Sequence, residues 1–579
     1  MTFQELKKNL KKDFTSFPKM KVAVLGDSAT QLLCIALRGQ GFEAGLDIGV
    51  LEGDYDRIYE TAIDPGNAIY SEDISYIFIV QSTEKLQKEF YSALNDQRGG
   101  FAEEKKKYFE TLVATIGRYT KAKIIFFNFP EINDAVFGGF SSKTPFSFLH
   151  QLRKINVGMQ DIATENKNVF IADILSASNA AGAAATRSAK WYITTQNVFQ
   201  LDFLAAVAKT CTDMLAAFAG KFKKCLVLDL DNTMWGGIIG DDGIDHIQLG
   251  DLGIGKAFTQ LQYWVKELKN RGVIIVVCSK NDEHTAKEVF EKHPDMILRT
   301  EDLSLFVANW SNKGDNIKYI QEVLNIGMDS LVFIDDNPFE RNLVKMMHPE
   351  VTVPELPDDP ADYLPFLQSL NLFETVSFTD EDTVRTKQYK EESQRVVMQQ
   401  SFESVDEYLV SLQMEANIEG ITSYNLGRCA QLTQRSNQFN LTTIRYSEGQ
   451  LQHFIDEGGK ALCISLKDKF GDYGLISLVL LEKKEEECLI NTWIMSCRVL
   501  KRGVEELAVN EMVSRASAMG CSSLTGRYLP TPKNDMVKEL YSTMGFGSAN
   551  ETDTKLHLTN FVPFKIHIKI TNELRSDQE

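Results

Sequence analysis

The sequence predicts an α/β chain of three successive domains, two with mostly parallel sheets and a third of α+β type. Short β-rich runs alternate with helical stretches, the alternation restarts near residue 219, and the last third carries neighbouring strand runs joined by a tight charged turn. At 579 residues the chain is several times longer than one core supports, which also asks for about three domains.

From Lys21 the runs "KVAVLGDSA", "YIFIVQS", "KIIFFNFP" and "NVFIADIL" are separated by helical patterns, the βαβ signature of a parallel sheet, and fill a first domain over 1–218. A second alternation occupies 219–358. It runs "CLVLDLDNT", a helix around "FTQLQYWVKELKN", "VIIVVCSKN", a helix around "HTAKEVFEKH", and "SLVFIDDNP". Residues 359–412 are charged with helical period and read as a connector. Over 413–579 the order becomes strand, helix, the runs "ALCISLKD", "GLISLVLLEKK" and "CLINTWIMS", then helix, strand and a last helix, with "EKKEEE" as a solvated hairpin turn.

Composition narrows the function. A formal charge of -18 without a basic stripe repels a phosphate backbone and argues against nucleic acid. The start, "MTFQELKKNLKKDF", has helical period and no apolar core of signal-peptide length, and "GVIIVVC" is far too short to span a bilayer, so a cytoplasmic protein with no membrane partner is expected. Nine scattered cysteines, with no CxxC pair, argue against disulfides and structural zinc.

The chemistry concentrates at strand ends, where parallel α/β sheets bind their ligands. Asp229 and Asp231 follow "CLVL" two positions apart and so share a side. Ser279 ends "VIIVVC", Asp335 and Asp336 follow "LVFI", and Lys313 stands in "NWSNKGDNI" between them. Crowded carboxylates need a compensating cation, and a hard dication such as Mg²⁺ suits oxygen ligands. The set reads as a phosphate site with a metal, a nucleophilic carboxylate and a second carboxylate for proton transfer.

These segments resemble the four ordered motifs of the haloacid dehalogenase (HAD) superfamily, and "LDLDNTMWGG", "CSKND", "NWSNKGDNI" and "FIDDNPFER" resemble its FkbH-type subgroup. The resemblance implies a Rossmannoid α/β fold in which Asp229 is the nucleophile and Asp231 the general acid and base. It further implies that Thr233 and Ser279 bind phosphoryl oxygens and that Lys313 neutralises charge. Asp229, the Asp231 backbone carbonyl and Asp335 would hold Mg²⁺, with Asp336 supporting the metal. Neither 234–278 nor 280–312 is long enough for a cap domain, so the site is uncapped and open to a large substrate or covered by neighbouring domains.

FkbH-type proteins take a small phosphorylated acyl unit, 1,3-bisphosphoglycerate, and load the glyceryl group on an acyl carrier protein's thiol. That route makes Cys278, beside Ser279, a candidate acyl-holding thiol, against its reading as a small core residue facing away from the site. A different class also fits the sequence: an uncapped phosphatase fused to an N- or O-acyltransferase acting on a sugar or surface-polymer precursor. A platform of three lapsed domains is the non-enzymatic alternative.

The flanking domains carry resemblances of their own. "LGDSA" and Asn128 are similar to blocks of SGNH-type esterases (a flavodoxin-like α/β fold), with Ser28 as the nucleophile. The late Asp-x-x-His that would supply its base is missing: His150 follows Ser147 instead, so the domain reads as a lapsed esterase that binds or covers. The C-terminal part resembles GNAT-type acyltransferases. In the loop "RVLKRG", Arg498 and Gly503 match the pyrophosphate pattern, while Lys501 replaces its first glycine. That loop would take acyl-CoA or a carrier protein's phosphopantetheine arm. Asn534 and Tyr541 fall at the usual places of the final helix, where Tyr541 either protonates a thiolate or simply packs. "TQRSNQFNLTTIRYS" also matches the FkbH-type pattern, without a chemistry that its residues define.

Overall fold

The computed structural model describes residues 1–71, 73–378, 404–436, 438–531, 533–550 and 552–572, together with Tyr389, Glu391, Arg395 and Phe402. The chain divides into two compact units, Met1–Ala217 and Phe218–Glu579.

In the first unit, β1 (Lys19–Gly26), β2 (Asp47–Glu52), β3 (Ile74–Val80), β4 (Lys123–Phe127) and β5 (Val169–Ala172) form one sheet in the order β2-β1-β3-β4-β5, every pair parallel. Alternate residues of β1, β3 and β4 (Ala23, Leu25, Ile77, Ile79, Ile124, Phe126) enter one apolar cluster with Phe109 and Leu112 of helix Phe101–Gly117 and Leu152, Ile155 and Met159 of helix Phe148–Glu165. That is the period-two pattern of a sheet face covered by helices.

The second unit contains two sheets. The first is parallel: β6 (Cys225–Leu228), β7 (Ile274–Ser279), β8 (Leu305–Ala308) and β9 (Leu331–Ile334) lie in the order β8-β7-β6-β9. Every residue of β6, β7 and β9 is buried, because helices cover both faces. Leu226, Leu228, Ile275, Val277, Val332 and Ile334 serve one face. Cys225, Val227, Ile274, Val276, Cys278, Leu331 and Phe333 serve the other. At about 1.5–3 kcal/mol for each fully buried aliphatic side chain, these short strands are held by burial rather than by length.

The other sheet is mixed, with β10 (Met414–Glu419), β11 (Lys460–Lys467), β12 (Asp472–Lys484), β13 (Glu487–Met495), β14 (Ser523–Arg527), β15 (Gly547–Ser548), β16 (Asp553–His557) and β17 (Ile568–Asn572) in the order β15-β16-β14-β13-β12-β11-β10-β17. The β12–β13 hairpin turns at Glu485, whose φ of 56° is left-handed. β13 and β14 run parallel but pair only from Glu487 to Ile490; beyond that they part. The chain's own segment Phe439–Leu441 enters the gap. Leu441 N donates to Trp493 O (3.3 Å), Met495 N to Phe439 O (3.2 Å) and Leu529 N to Leu441 O (2.8 Å).

Two expectations change. Residues 359–412 are not all connector: helix Tyr363–Leu370 places Tyr363 and Leu367 in the apolar cluster of the four-stranded sheet, since both are large and recur at helical spacing. Most of 379–403 lies outside the described residues. The expected last helix is only Leu540–Thr543, ended where Gly545 takes φ 83° and Phe546 N donates to Tyr541 O (2.9 Å), and strands follow it.

Candidate active site

The carboxyl ends of β6, β7 and β9 meet at one patch. Asp229 directly follows β6, and its N–H donates to Ile334 O of β9 (2.9 Å), which ties the two strand ends together. Asp335 follows β9 and is fully buried; its Oδ1 accepts from Asn337 N (2.8 Å). Asp229, Asp335 and Asp336 offer carboxylate oxygens that all lie within 4.8 Å of one another.

Lys313 runs through this cluster. It is the first residue of helix Lys313–Leu324, whose cap is the Asn312 side chain accepting from Asp315 N (2.8 Å). A lysine there opposes the helix dipole. Its ammonium instead reaches Asp229 Oδ1 (2.8 Å) and Asp335 Oδ2 (2.5 Å), with 2% of the residue exposed. Burial works against its charge, yet the two carboxylates outweigh that and hold the amine above its usual range. One lysine does not neutralise three carboxylates. Burial, and then Asp229, push Asp335 up to about 7 and Asp336 upward as well. This excess of crowded negative oxygen fits a hard dication held by Asp229, Asp335 and Asp336.

Asp231 faces differently. Its Oδ1 accepts from Trp235 Nε1 (2.9 Å) and Ile239 N (3.0 Å), and its Oδ2 from Asn281 Nδ2 (3.0 Å). Its carboxylate is therefore not part of the oxygen cluster, in keeping with the expectation that Asp231 offers a metal its backbone carbonyl and keeps its side chain for proton transfer. Burial raises its pKa despite these three donors. Thr233 is fully buried, and its Oγ1 accepts from Asp336 N (3.1 Å). Ser279 ends β7, and Asn281 Nδ2 donates to its Oγ as well (3.1 Å), so one amide links the serine to Asp231.

Several positioning residues escape sequence reasoning. Arg341 is buried and donates from Nη1 to the backbone oxygens of Asp335 (2.9 Å) and Asp336 (2.6 Å), fixing the loop that carries both aspartates. Lys280 pairs with buried Glu340 (2.6 Å). Asn281 and Arg341 stand within the quoted strings "CSKND" and "FIDDNPFER", but nothing in their local pattern marks them as partners.

Cys278 is a correction. It is completely buried on the sheet face that packs against Ile317, Ile320 and Phe333, and burial pushes its thiol up to about 12. A thiol so placed stays protonated and out of reach of a substrate.

In the first unit Ser28 and Asn128 are both buried, but Asn128 is spent internally: Nδ2 donates to Asp173 Oδ1 (2.7 Å) and Oδ1 accepts from Leu175 N (2.8 Å). His150 lies on helix Phe148–Glu165, with Nδ1 3.4 Å from Ser142 O.

The C-terminal candidates separate. Gly503 caps helix Val504–Ala518 at φ 84° with open space beside it, and Lys501 adopts φ 59°, the left-handed backbone a glycine would take there. Arg498 is buried and lies 6.0 Å from the Tyr473 ring. Asn534 is fully buried and bonds only the chain itself: Asn440 O and Leu529 O (both 2.9 Å) accept from Nδ2, and Oδ1 accepts from Thr531 N (2.7 Å). Tyr541 packs against Trp493 and Phe546 (ring centroids 6.1 and 4.9 Å apart), and burial drives its phenol pKa up. Both therefore pack in the core around the β13–β14 gap.

Three strand ends of a parallel sheet converging on a carboxylate patch threaded by one lysine define a protein of the haloacid dehalogenase superfamily. A family model described as FkbH, N-terminal domain, matches residues 21–216. The chain is 46% identical to the N-terminal part of a Bacteroides fragilis protein, described as containing a phosphatase domain and complexed with Mg; the match covers 65% of this chain and 100% of that one, with a TM-score of 0.63. This chain belongs to the FkbH-type HAD proteins. Vibrio cholerae spermidine N-acetyltransferase in complex with CoA and spermine (11% identity, 25% of this chain and 96% of that one) and a domain from Methanocaldococcus jannaschii (16%, 25% and 99%) match with TM-scores of only 0.20 and 0.21, which carry no argument. No curated protein matches. Among the described residues no helix is long and apolar enough to cross a membrane.

Proposed function

We propose that the chain is a Mg²⁺-dependent phosphohydrolase of HAD type acting on a phosphorylated acyl substrate. The observation that carries this reading is the trio Asp229, Asp335 and Asp336, crowded within 4.8 Å around a single buried lysine. Those three carboxylates would hold Mg²⁺, and the Mg-bound phosphatase domain of the Bacteroides fragilis relative supports the choice of ion. The bound ion supplies charge compensation for the carboxylates and the phosphoryl oxygens.

Asp229 attacks phosphorus; its Oδ–P bond forms as the bond to the leaving oxygen breaks. Asp231, whose pKa burial raises and which Trp235, Ile239 and Asn281 orient, gives its proton to that oxygen. It then takes a proton from the water that hydrolyses the phosphorylated Asp229. Lys313 holds Asp229 in place, and the hydroxyls of Thr233 and Ser279 would bind phosphoryl oxygens, as the FkbH-type motifs imply.

The finer part of the reading is a substrate of the 1,3-bisphosphoglycerate kind: Asp229 takes the phosphate ester and leaves a hydroxyl, and the thiolate of an acyl carrier protein attacks the acyl-phosphate carbon, expelling the second phosphate as the glyceryl thioester forms. It rests on the FkbH-type motifs. The accepting thiol is then the carrier's own, because Cys278 is sealed in the core. The test is phosphate release from p-nitrophenyl phosphate and 1,3-bisphosphoglycerate with Mg²⁺. Asp229→Asn is expected to lose at least about 10³-fold of the rate with an unchanged circular-dichroism spectrum, and Asp231→Asn to accumulate a phosphorylated chain visible by mass spectrometry. Wild-type turnover in Asp229→Asn removes the nucleophile and the reading with it.

A further inference from the structure

The second unit contains a cavity of about 530 Å³ at the opposite ends of the same strands, a volume suited to a small ligand. Lys224 stands just before β6, Ile274 opens β7, and Met328–Ser330 precede β9, and all of them line it. At 3.3 Å per residue the length of β6 sets this cavity on the order of 15 Å from Asp229, so one small molecule does not occupy both.

The far wall comes from the C-terminal part: Arg428 and Arg435 on helix Leu426–Arg435, Gln438 and Phe439 after it, and Arg498. Among the described lining residues five side chains are cationic (Lys224, Arg428, Arg435, Arg498 and Lys533) and two are carboxylates, Asp329 and Glu350. Asp329 is tied to Lys533. On a chain of formal charge -18 a concave basic patch focuses the local field and draws anions. The remaining lining mixes apolar and aromatic side chains with the polar Ser330, Ser436, Gln438 and Ser496. Phe222 lies under both Lys224 and Arg435 (5.8 Å each from the ring), and Phe439 and Met495 are buried. The cavity thus combines lysine and arginine side chains, which also bond the chain itself, with apolar surface.

We propose that this cavity is a second ligand site, which binds an organic phosphate with an aromatic or apolar body. The carboxylate trio lies at the other end of the sheet, so the ligand is held and not hydrolysed. Ser436, Gln438 and Phe439, from a stretch whose residues defined no chemistry in the sequence, gain a role as part of the wall.

Isothermal titration calorimetry of the full chain with Mg²⁺ and phenylphosphonate, a non-hydrolysable aromatic phosphonate, tests it. The double variant Arg428→Gln/Arg435→Gln is expected to lose a saturable binding event while p-nitrophenyl phosphate turnover stays at the wild-type level. Inorganic phosphate, which lacks the apolar body, should bind that site at least about tenfold more weakly. Full phenylphosphonate binding in the double variant overturns the site, and equal affinity for inorganic phosphate overturns the organic body. Should the variant not fold, phenylglyoxal labelling of the native chain decides: protection of Arg428 and Arg435 by phenylphosphonate supports the proposal, and unchanged labelling overturns it.

Discussion

Lys313 shows what a single side chain does in this site. Among the described residues it is the cation that bridges Asp229 and Asp335, and all three are almost wholly buried. Lys313→Met keeps the stem and removes the charge, leaving the carboxylates uncompensated, a kind of change that costs about 3–5 kcal/mol. Thermal unfolding should show a strongly destabilised variant in EDTA, and Mg²⁺ should restore far more of the loss than it adds to wild type. An equal Mg²⁺ effect on the two proteins would show that lysine and metal do not share this charge. A second buried carboxylate, Asp27, lies at the end of β1 and accepts from Ser82 N (2.9 and 3.0 Å). Burial pushes it up to about 6, against an unfolded value near 3.9. Because the folded pKa is the higher one, the folded chain holds the extra proton between those values. The contribution is present below about pH 4 and lost as pH rises through 6, by up to about 3 kcal/mol. Asp27→Asn should therefore be relatively more stable than wild type at pH 7.5 than at pH 4.5. Melts at the two pH values that shift equally would contradict the raised pKa.

At the scale of elements, the gap between β13 and β14 is the feature with structural consequence. Parallel strands that part would leave backbone groups without partners, and segment Phe439–Leu441 fills that need. Asn534 holds the segment, since its amide serves Asn440, Leu529 and Thr531 together. Asn534→Ala leaves the buried Asn440 carbonyl without this donor and frees the partly buried Leu529 carbonyl and Thr531 N–H. Urea unfolding of the C-terminal sheet should come earlier by about 2–3 kcal/mol, with phosphate release unchanged in the absence of denaturant; a variant as stable as wild type would show that the segment is held some other way. The parallel sheets were legible in the sequence because each core strand is a short continuous apolar run ending in a polar residue, and burial on both faces demands that composition. The ends of β6, β7 and β9 were legible for the same reason: Asp229, Ser279 and Asp335 each break such a run. What stayed hidden acts across distance. Asn281 meets Asp231 from fifty positions away, and Phe439–Leu441 lies in the sheet without any strand-like alternation, so neither leaves a local signal. Cys278 was read both ways because its sequence position beside Ser279 says nothing about which face of β7 it serves.

For the molecule as a whole, the distribution of apolar cores decides what depends on what. The four-stranded sheet is enclosed by side chains that, Tyr389 apart, lie between Cys225 and Phe373. The eight-stranded sheet draws its core from Tyr408 to Ile568. Between the two sheets the described contacts include polar ties: Lys224 Nζ to Arg435 O (3.2 Å), Lys533 to Asp329, and Arg435 to Ser377 O (3.2 Å). Apolar burial, roughly 25 cal/mol per Å², outweighs a few polar ties of about 1 kcal/mol each, so the stability of the four-stranded sheet is set mainly within its own segment. The Bacteroides fragilis relative, an N-terminal part matching 65% of this chain along its full length, agrees with that division. A chain ended after residue 378 should therefore fold, keep Mg²⁺-dependent turnover of p-nitrophenyl phosphate within about threefold of the full chain, and lose the phenylphosphonate site, because Arg428, Arg435, Phe439 and Arg498 are gone. Circular dichroism, a turnover assay and calorimetry on that fragment separate the outcomes. An unfolded fragment would mean that the eight-stranded sheet supports the phosphatase-like one, and a folded fragment that still binds phenylphosphonate at the lost site would place that ligand elsewhere.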